Sequence, residues 1–384
     1  VCPRSAEFGG PTWTFGMRFY ELLSDVEMVC LWSEPGGTRL GTVDLRSGEL
    51  RQVELFYTSL NSVQVSGRTA AVFAGTPTLA ERVLTVDLDT GAQEVVRVSN
   101  PAHIESGYLS MPRPIEFPTE GGLIAHALYY APQNRDFEAP AGERPPLVVH
   151  CHGGPTGSAG PIYPFEYQYW TSRGVALVDV NYGGSSGYGR SYRNRLNGNW
   201  GVVDVDDCIN AARHLISLGL ADPDRVSITG GSAGGYTTLL SLTKRSFYNA
   251  GASHYGIGDL ETFAQETHKF ESHYLDTLVG PYPEMAARYR ERSAVNFADN
   301  MSCPVILFQG LEDKVVPPSQ AEEFVEVCKK KNLPYAYIAF EGEQHGFRKE
   351  ANIRRSIEAE MYFLGRMFGF APADPIEPVQ IENL

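Results

Sequence analysis

The feature that most constrains the fold of this chain is a short glycine and serine motif set between a strand pattern and a helix pattern. Residues 230–234 read Gly-Gly-Ser-Ala-Gly, between the β-branched run 225–229 and the apolar helical run 236–242. Strand, G-x-S-x-G and helix in that order predict a nucleophile elbow, a turn so tight that its glycines leave no room for side chains. Ser232 is then exposed at a helix N-terminus, whose free N–H groups favour an oxyanion. An ordinary Gly/Ser turn is the alternative interpretation of the motif alone.

The elbow lies in a half of the chain that alternates strand and helix patterns. Near-continuous apolar runs, typical of strands buried on both faces of a parallel sheet, occur at 147–151, 175–180, 305–308 and 335–340. Helical spacing of apolar residues predicts helices at 205–218, 320–331 and 353–367. We therefore predict an α/β fold over residues 106–384, a doubly wound sheet with its reactive loops at strand C-termini.

A serine hydroxyl becomes a good nucleophile only when a base accepts its proton and an acid holds that base in one tautomer. The chain order expected after an elbow serine is Asp and then His, each following a later strand. Asp313 follows the 305–308 run and His345 follows the 335–340 run, so both fit that order. Glu312 is a poorer second choice for the acid. Three other histidines are candidates for the base by residue type alone: His254, His268 and His273. They precede the Asp313 strand, so they are expected at the surface or along a pocket instead.

An oxyanion hole also has to be present, and it needs hydrogen-bond donors. Elbow geometry makes the Ala233 N–H the first donor. The second is expected in the loop His152-Gly153-Gly154-Pro155, whose glycines allow the backbone to come close to a ligand. A plain Gly-Gly-Pro turn is the alternative. Tyr182 and Tyr236 either line the pocket for the residue before the cleaved bond or pack as buried aromatics. His152 is a further candidate for substrate binding.

The first hundred residues have a different pattern, with short β-rich runs separated by turns. Residues 43–48, Val-Asp-Leu-Arg-Ser-Gly, return as Val-Asp-Leu-Asp-Thr-Gly at 86–91, an interval within the roughly 40–50 residue period of propeller blades. We predict that residues 1–105 hold about two blades of a partial β-propeller; two hairpins of a β-sandwich are the alternative. A ring takes roughly four to eight blades, so further blades are expected ahead of Val1, or the chain is a truncated form.

Composition limits the partners of the chain. The net charge of −14 offers no basic surface to nucleic acid. No run is long and apolar enough for a membrane span, and the N-terminus has no signal-peptide pattern. The six cysteines are far apart and several lie in apolar runs, so we expect buried free thiols in the reducing cytoplasm. The spacing of His268 and His273 fits no helical pair of metal ligands, and neither a metal nor a cofactor is expected.

These residues together resemble the S9, or prolyl oligopeptidase, family of serine peptidases, and most closely its acylaminoacyl-peptidase and dipeptidyl-aminopeptidase-like branch. The resemblance covers about residues 110–370 and rests on the motifs His152–Pro155, Asn181–Gly189, Trp200–Asp207, Gly230–Tyr236, Gln309–Asp313 and Glu343–Phe347. In that family a β-propeller precedes an α/β-hydrolase domain, which agrees with the repeat near the N-terminus.

The resemblance implies a catalytic triad of Ser232, Asp313 and His345. It also implies that the Ala233 N–H is an oxyanion donor. Prolyl oligopeptidase proper has a tyrosine at the position of His152, so the second donor is either the Gly154 N–H, as in the acylaminoacyl branch, or the His152 ring. That branch often has arginine where Gly183 stands. The paired glutamates by which dipeptidyl peptidases hold a free N-terminus are not identified in this sequence, so exopeptidase and endopeptidase types both stay open.

We therefore expect a serine-type peptidase that hydrolyses short peptides through an acyl-enzyme on Ser232, with His345 as the base and Asp313 steadying the imidazolium. A propeller would admit short peptides and screen out folded proteins. Two alternatives stay open, an esterase or lipase on the same fold and a catalytically inert truncated module. No nucleic acid or membrane partner is expected, and the sequence leaves a homo-oligomer open.

Overall fold

Two four-stranded antiparallel sheets form the N-terminal part of the computed structural model, which describes residues 2–4, 6–11, 14, 16–267, 269 and 271–384. Each sheet is a meander in which sequential strands pair, because short turns join them. The first consists of β1 (Tyr20–Ser24), β2 (Glu27–Glu34), β3 (Gly37–Asp44) and β4 (Leu50–Val53). The second consists of β5 (Ser59–Ser66), β6 (Thr69–Thr76), β7 (Leu79–Asp87) and β8 (Gln93–Val98).

The repeated sequence segment forms the turn between the third and fourth strands of each sheet. Asp44 Oδ1 accepts hydrogen bonds from the backbone N–H groups two and three residues further on, and Asp87 makes the same contacts. The glycine in each turn has a positive φ, 76° at Gly48 and 74° at Gly91. The two sheets share one apolar core, and together they confirm the partial propeller predicted from the repeat.

A mixed eight-stranded sheet forms the second part of the molecule. Its strands are β9 (Arg113–Pro118), β10 (Ile124–Tyr130), β11 (Leu147–Cys151), β12 (Ala176–Asn181), β13 (Val226–Gly231), β14 (Ala250–His254), β15 (Val305–Gly310) and β16 (Tyr335–Phe340). Their order across the sheet is β9-β10-β12-β11-β13-β14-β15-β16. Strands β11 to β16 are parallel, and β10 is antiparallel to both of its neighbours. Because the order reverses beside β11, the loops after β11 and β13 flank a crevice at the carboxyl edge of the sheet.

Helices cover both faces of this sheet, so the prediction of a doubly wound α/β-hydrolase fold is confirmed. One face carries α3 (Val203–Ser217), α4 (Ala233–Lys244) and α8 (Ser319–Lys331). The other face carries α1 (Phe165–Thr171) and α9 (Glu350–Phe368). The remaining α-helices of the described ranges are α2 (Arg190–Arg193), α5 (Leu260–Glu266), α6 (Tyr274–Leu278) and α7 (Ala286–Arg292).

The predicted strands and helices of the second half are present, with their ends shifted by a few residues. The sequence pattern misses β14, because its residues, Ala-Gly-Ala-Ser-His, include no β-branched or large apolar side chain. Small residues are needed there: a Cβ at Gly251 would lie 2.5 Å from Leu242 of α4. The small side chains of β14 therefore allow this strand to pack closely against α4.

Three further observations concern the chain as a whole. In the part of the chain that the structure describes, no helix is both long and apolar enough to cross a membrane. The cysteines are free thiols, and five of the six are buried. The predicted division of the chain at residue 105 falls between β8 and β9 and stays a prediction.

Candidate active site

Ser232 lies in a strained turn between β13 and α4. Its φ of 56° lies in the left-handed region, which residues other than glycine rarely adopt. The flanking glycines are required, since a Cβ at Gly234 would lie 2.0 Å, and one at Gly230 2.6 Å, from the carbonyl oxygen of Cys151. The Ser232 N–H donates to the carbonyl of His254 at 3.0 Å. The elbow is thus wedged between the carboxyl ends of β11 and β14.

Asp313, His345 and Ser232 form a continuous hydrogen-bonded line. Nδ1 of His345 lies 2.8 Å from Oδ2 of Asp313, and Nε2 lies 2.8 Å from Oγ of Ser232. Because a carboxylate only accepts hydrogen bonds, Nδ1 carries the proton and Nε2 is left to accept one from the serine. The Asp313 side chain is fully buried, while that of His345 is 23% exposed. The structure therefore brings together the three side chains that the sequence pattern selects.

Backbone groups hold the Asp313 carboxylate in place. Its Oδ1 accepts hydrogen bonds from the N–H groups of Val315 and Val316 at 2.8 and 2.9 Å, which leaves Oδ2 for His345. Hydrogen bonds to a charged acceptor are strong, so they fix the direction of the carboxylate. The neighbouring Glu312 is exposed, and its side chain takes no part in this line.

The other candidate histidines lie elsewhere. His273 has a side chain that is 89% exposed and pairs with Asp276, in agreement with a surface position. His254 is mostly buried instead, with Nε2 2.8 Å from Oε2 of Glu360, so it does not lie at the surface. His268 lies outside the described residues. Within the ranges that the structure describes, no three His, Cys, Asp or Glu side chains are grouped so as to hold a metal ion.

The loop after β11 runs beside the elbow. A Cβ at Gly153 would lie 3.1 Å from the Gly231 carbonyl oxygen and 3.7 Å from Cβ of Ser232. The next residue, Gly154, has a φ of 122°, a conformation that favours glycine. Both glycines are therefore needed for this loop to come so close to the serine, which a plain turn would not require.

His152 braces that loop. Its Nδ1 lies 2.9 Å from the Gly153 carbonyl oxygen and its Nε2 lies 2.7 Å from Oγ of Ser185. The ring stacks on Tyr182 with 4.4 Å between the centroids. Burial lowers the pKa of His152 to about 4, so the imidazole is neutral near neutral pH. With both nitrogens engaged, the ring is not free to serve as an oxyanion donor.

The two tyrosines considered for the pocket are buried packing residues. Tyr182 is fully buried, and its hydroxyl donates to the Pro155 carbonyl at 2.7 Å. Tyr236 is also fully buried, and its hydroxyl donates to the Arg292 carbonyl at 2.9 Å. His152 is only 8% exposed. The structure thus contradicts substrate-pocket roles for these three residues and agrees with the packing alternative for the tyrosines.

Two buried carboxylates support the loops around the site. Asp207 accepts a hydrogen bond from the Gly183 N–H at 2.7 Å, and Asp204 accepts one from the Thr237 hydroxyl at 2.5 Å. Burial raises the pKa of both, that of Asp204 to about 6. A Cβ at Gly183 would lie 2.8 Å from Val203. The position therefore has no room for the arginine that often stands there in the acylaminoacyl-peptidase and dipeptidyl-aminopeptidase-like branch.

Tyr255, the first residue after β14, is missed by the sequence pattern. Its φ is 41°, and its ring lies against that of His345 with 5.0 Å between the centroids. Burial, together with the negative charges of Glu166 and Asp313, raises the pKa of Tyr255 to about 12, so its hydroxyl stays protonated. No motif marks this residue. Only the presence of β14, whose end lies at the same edge as the elbow, would have indicated it.

Known proteins resemble this chain in sequence and in fold. Residues 162–371 match the family model described as the prolyl oligopeptidase family. The chain is 45% identical to a puromycin-hydrolysing peptidase of Mycobacterium tuberculosis (TM-score 0.95) and 40% identical to a puromycin hydrolase (TM-score 0.93), and each alignment covers 99% of this chain and 58% of the other. Dipeptidyl aminopeptidase BIII of Pseudoxanthomonas mexicana is 31% identical over 237 residues, which are 60% of this chain and 34% of that protein.

The chain spans little more than half of these solved structures and about a third of the curated relative. The family match nevertheless covers more than half of this chain and includes the elbow and the loops of Asp313 and His345. The likeness to the solved structures extends over nearly all of it. On this evidence the chain belongs to the prolyl oligopeptidase family of serine peptidases.

Proposed function

We propose that this chain carries the active site of a serine peptidase that hydrolyses short peptides and related amides through an acyl-enzyme on Ser232. The observation that carries the proposal is the line from Asp313 through His345 to Ser232, with 2.8 Å at each step. Contacts of that length allow the serine proton to pass to the imidazole during attack.

In the proposed reaction, Oγ of Ser232 attacks the substrate carbonyl carbon while Nε2 of His345 takes its proton. The Asp313 carboxylate stabilises the imidazolium and keeps the ring in one orientation. The C–N bond then breaks, and the imidazolium gives its proton to the leaving amine. A water molecule, deprotonated by the same imidazole, attacks the acyl-enzyme, releases the acid and restores Ser232.

We assign the N–H groups of Ala233 and Gly154 as the oxyanion donors. Ala233 is the first residue of α4, and the first N–H groups of a helix have no acceptor within it. Gly154 belongs to the glycine loop beside the serine, and the engaged ring of His152 favours this backbone donor over the imidazole. One donor of this kind contributes roughly 10²–10³ in rate.

The substrate class follows from the relatives. Two solved relatives are described as hydrolysing puromycin, and a curated relative is named a dipeptidyl aminopeptidase. We therefore propose short peptides and small amides such as puromycin as the substrates of this chain. The proposal takes no step through a metal ion or a cofactor, because the triad supplies both the nucleophile and the base.

The proposal is tested by measuring turnover of puromycin, short peptide amides and simple esters with the purified protein. Ser232→Ala should abolish both turnover and labelling by a fluorophosphonate probe. Asp313→Asn should lower kcat by about 10⁴, because the imidazole loses its favoured tautomer. Glu312→Gln changes the exposed neighbouring carboxylate and should retain activity.

Two results would contradict the proposal. Turnover of esters alone would indicate an esterase on the same fold. A folded wild-type protein that the fluorophosphonate does not label at Ser232 would indicate an inert module.

A further inference from the structure

Tyr255 has a strained backbone conformation that its residue type does not explain. Its φ of 41° lies in a region that bulky residues rarely adopt. Strain of this kind persists where the surrounding structure fixes it, and it clusters at functional sites. Here the Tyr255 N–H donates to the Phe308 carbonyl of β15 at 2.7 Å, and the preceding residue, His254, accepts from the Ser232 N–H. The segment is therefore tied to the neighbouring strand and to the elbow at the same time.

The Tyr255 ring fills the space beside the variable position of the elbow. A Cβ at Gly231 would lie 2.9 Å from the hydroxyl oxygen of Tyr255 and 3.0 Å from its Cε2. The residue before the nucleophile has no side chain because this ring occupies the space. An aromatic group that follows β14 thus lies next to Gly231, the residue before the nucleophile, although it is distant along the chain.

The same ring contacts the proposed base. The ring planes of Tyr255 and His345 make an angle of 64°, an edge-to-face arrangement at 5.0 Å. Phe347 meets Tyr255 at 5.2 Å and 89°, and Phe347 packs in turn on Phe340 of β16 at 4.7 Å. The three aromatic rings form one packed cluster that extends from β16 to Gly231, and the imidazole lies against it.

We infer that Tyr255 is a positioning residue that holds the imidazole of His345 in line with Ser232. Asp313 holds the ring through a hydrogen bond at one atom, Nδ1, and that contact alone leaves the faces of the ring without support. The edge-to-face contact with Tyr255 supplies a second point of support, which keeps Nε2 at hydrogen-bonding distance from Oγ. The inference rests on the proposed function, and it adds the residue that follows β14, a strand whose loop carries no member of the proposed triad.

The test is the steady-state hydrolysis of puromycin by the purified chain. Tyr255→Ala should lower kcat by about 10–100-fold with little change in KM, because small displacements of a reacting group cost rate while the substrate contacts remain. Tyr255→Phe keeps the ring and should recover kcat relative to the alanine variant. Tyr169→Ala removes a partly buried tyrosine of α1 that packs under Arg173, and it controls for the loss of an aromatic side chain.

Gly231→Ala provides an independent measurement. Its methyl group would displace the tyrosine ring, so kcat should fall in the wild-type background but change little in the Tyr255→Ala background. Urea unfolding of every variant shows whether a lower kcat reflects loss of the fold. Should Tyr255→Ala not fold, Tyr255→Leu makes the same comparison, because it loses the ring and keeps much of the volume.

Additive effects of the two substitutions, or full kcat in a folded Tyr255→Ala or Tyr255→Leu variant, would overturn the inference. A wild-type protein that is folded and does not turn over any substrate would overturn the proposed function instead. The two failures are therefore distinguishable.

Discussion

At the level of single residues, His152 illustrates what burial does to a histidine beside a reactive loop. Its neutral form satisfies both partners, donating to the Gly153 carbonyl and accepting from the Ser185 hydroxyl. Its pKa of about 4 in the folded chain lies below the unfolded value of about 6.5. Between these values the unfolded chain binds more protons than the folded one. Stability from this residue is therefore complete above about pH 6.5 and is lost as the pH falls towards 4.

We expect His152→Gln to remove part of the acid sensitivity of the fold. For a pKa that moves from about 6.5 to about 4, the wild-type protein loses about 2–3 kcal/mol of stability between pH 7.5 and 4.5 through this residue. The difference in unfolding free energy between the two pH values, measured by urea titration, should shrink by that amount in the variant. His103→Gln changes an exposed histidine and is the control. If the difference in unfolding free energy between the two pH values is the same in His152→Gln as in the wild-type protein, His152 is not buried in its neutral form.

At the level of elements, the elbow depends on how closely α4 starts beside β11. Gly234 is the second residue of that helix, and a Cβ there would lie 2.0 Å from the Cys151 carbonyl oxygen. The neighbouring atom belongs to the backbone of a central strand, which cannot rotate away. Only glycine allows the helix to begin at this distance, and this start exposes its first N–H groups beside the serine.

Gly234→Ala should therefore lower the free energy of unfolding by about 3 kcal/mol or more, because β11 and α4 must separate to admit the methyl group. The same shift should slow fluorophosphonate labelling of Ser232. Gly9→Ala is the matched control, since a Cβ there would have nothing within 4 Å. Equal unfolding midpoints in urea for the two variants would show that the elbow is not as tight as the structure indicates.

The elements also show how far sequence reasoning extends. Apolar runs identify β11, β15 and β16, and a β-branched run before the glycine and serine motif identifies β13. The loops that follow these strands carry the proposed triad and oxyanion loop. Strand β14 lacks such residues, so Tyr255 at its end stays unnoticed. The sequence leaves the roles of Tyr182 and Tyr236 open for another reason: the motif places the backbone at the site but gives no direction for the side chains.

At the level of the whole molecule, Glu7 connects the N-terminal sheets to the catalytic sheet. Its backbone pairs with β2, and its side chain accepts from the Gly187 N–H and forms an ion pair with Arg193. The Glu7 side chain is only 7% exposed. Gly187 lies in the loop that also carries Ser185, the partner of His152. One buried carboxylate thus joins the first sheet to the loop behind the proposed oxyanion hole.

Glu7→Gln should lower the free energy of unfolding by about 1.5–3 kcal/mol, because the ion pair with Arg193 and the negative charge that strengthens the Gly187 hydrogen bond are lost. Glu326→Gln breaks an exposed ion pair with Lys329, which solvent screens, and should leave the free energy of unfolding nearly unchanged. Urea titrations of the two variants and the wild-type protein make the comparison. Similar small changes in both would contradict a stabilising link between the sheets.

The contact between Ser232 and His345 joins points 113 residues apart along the chain. Long closures of this kind form late in folding, since the entropy of ordering the intervening chain must be offset first. We therefore expect chemical competence to be among the last properties that a refolding molecule acquires. A reagent that reacts with Ser232 therefore reports only those molecules in which the last parallel strands of the sheet have paired correctly. Circular dichroism, in contrast, also detects helices in molecules that have not yet reached that stage.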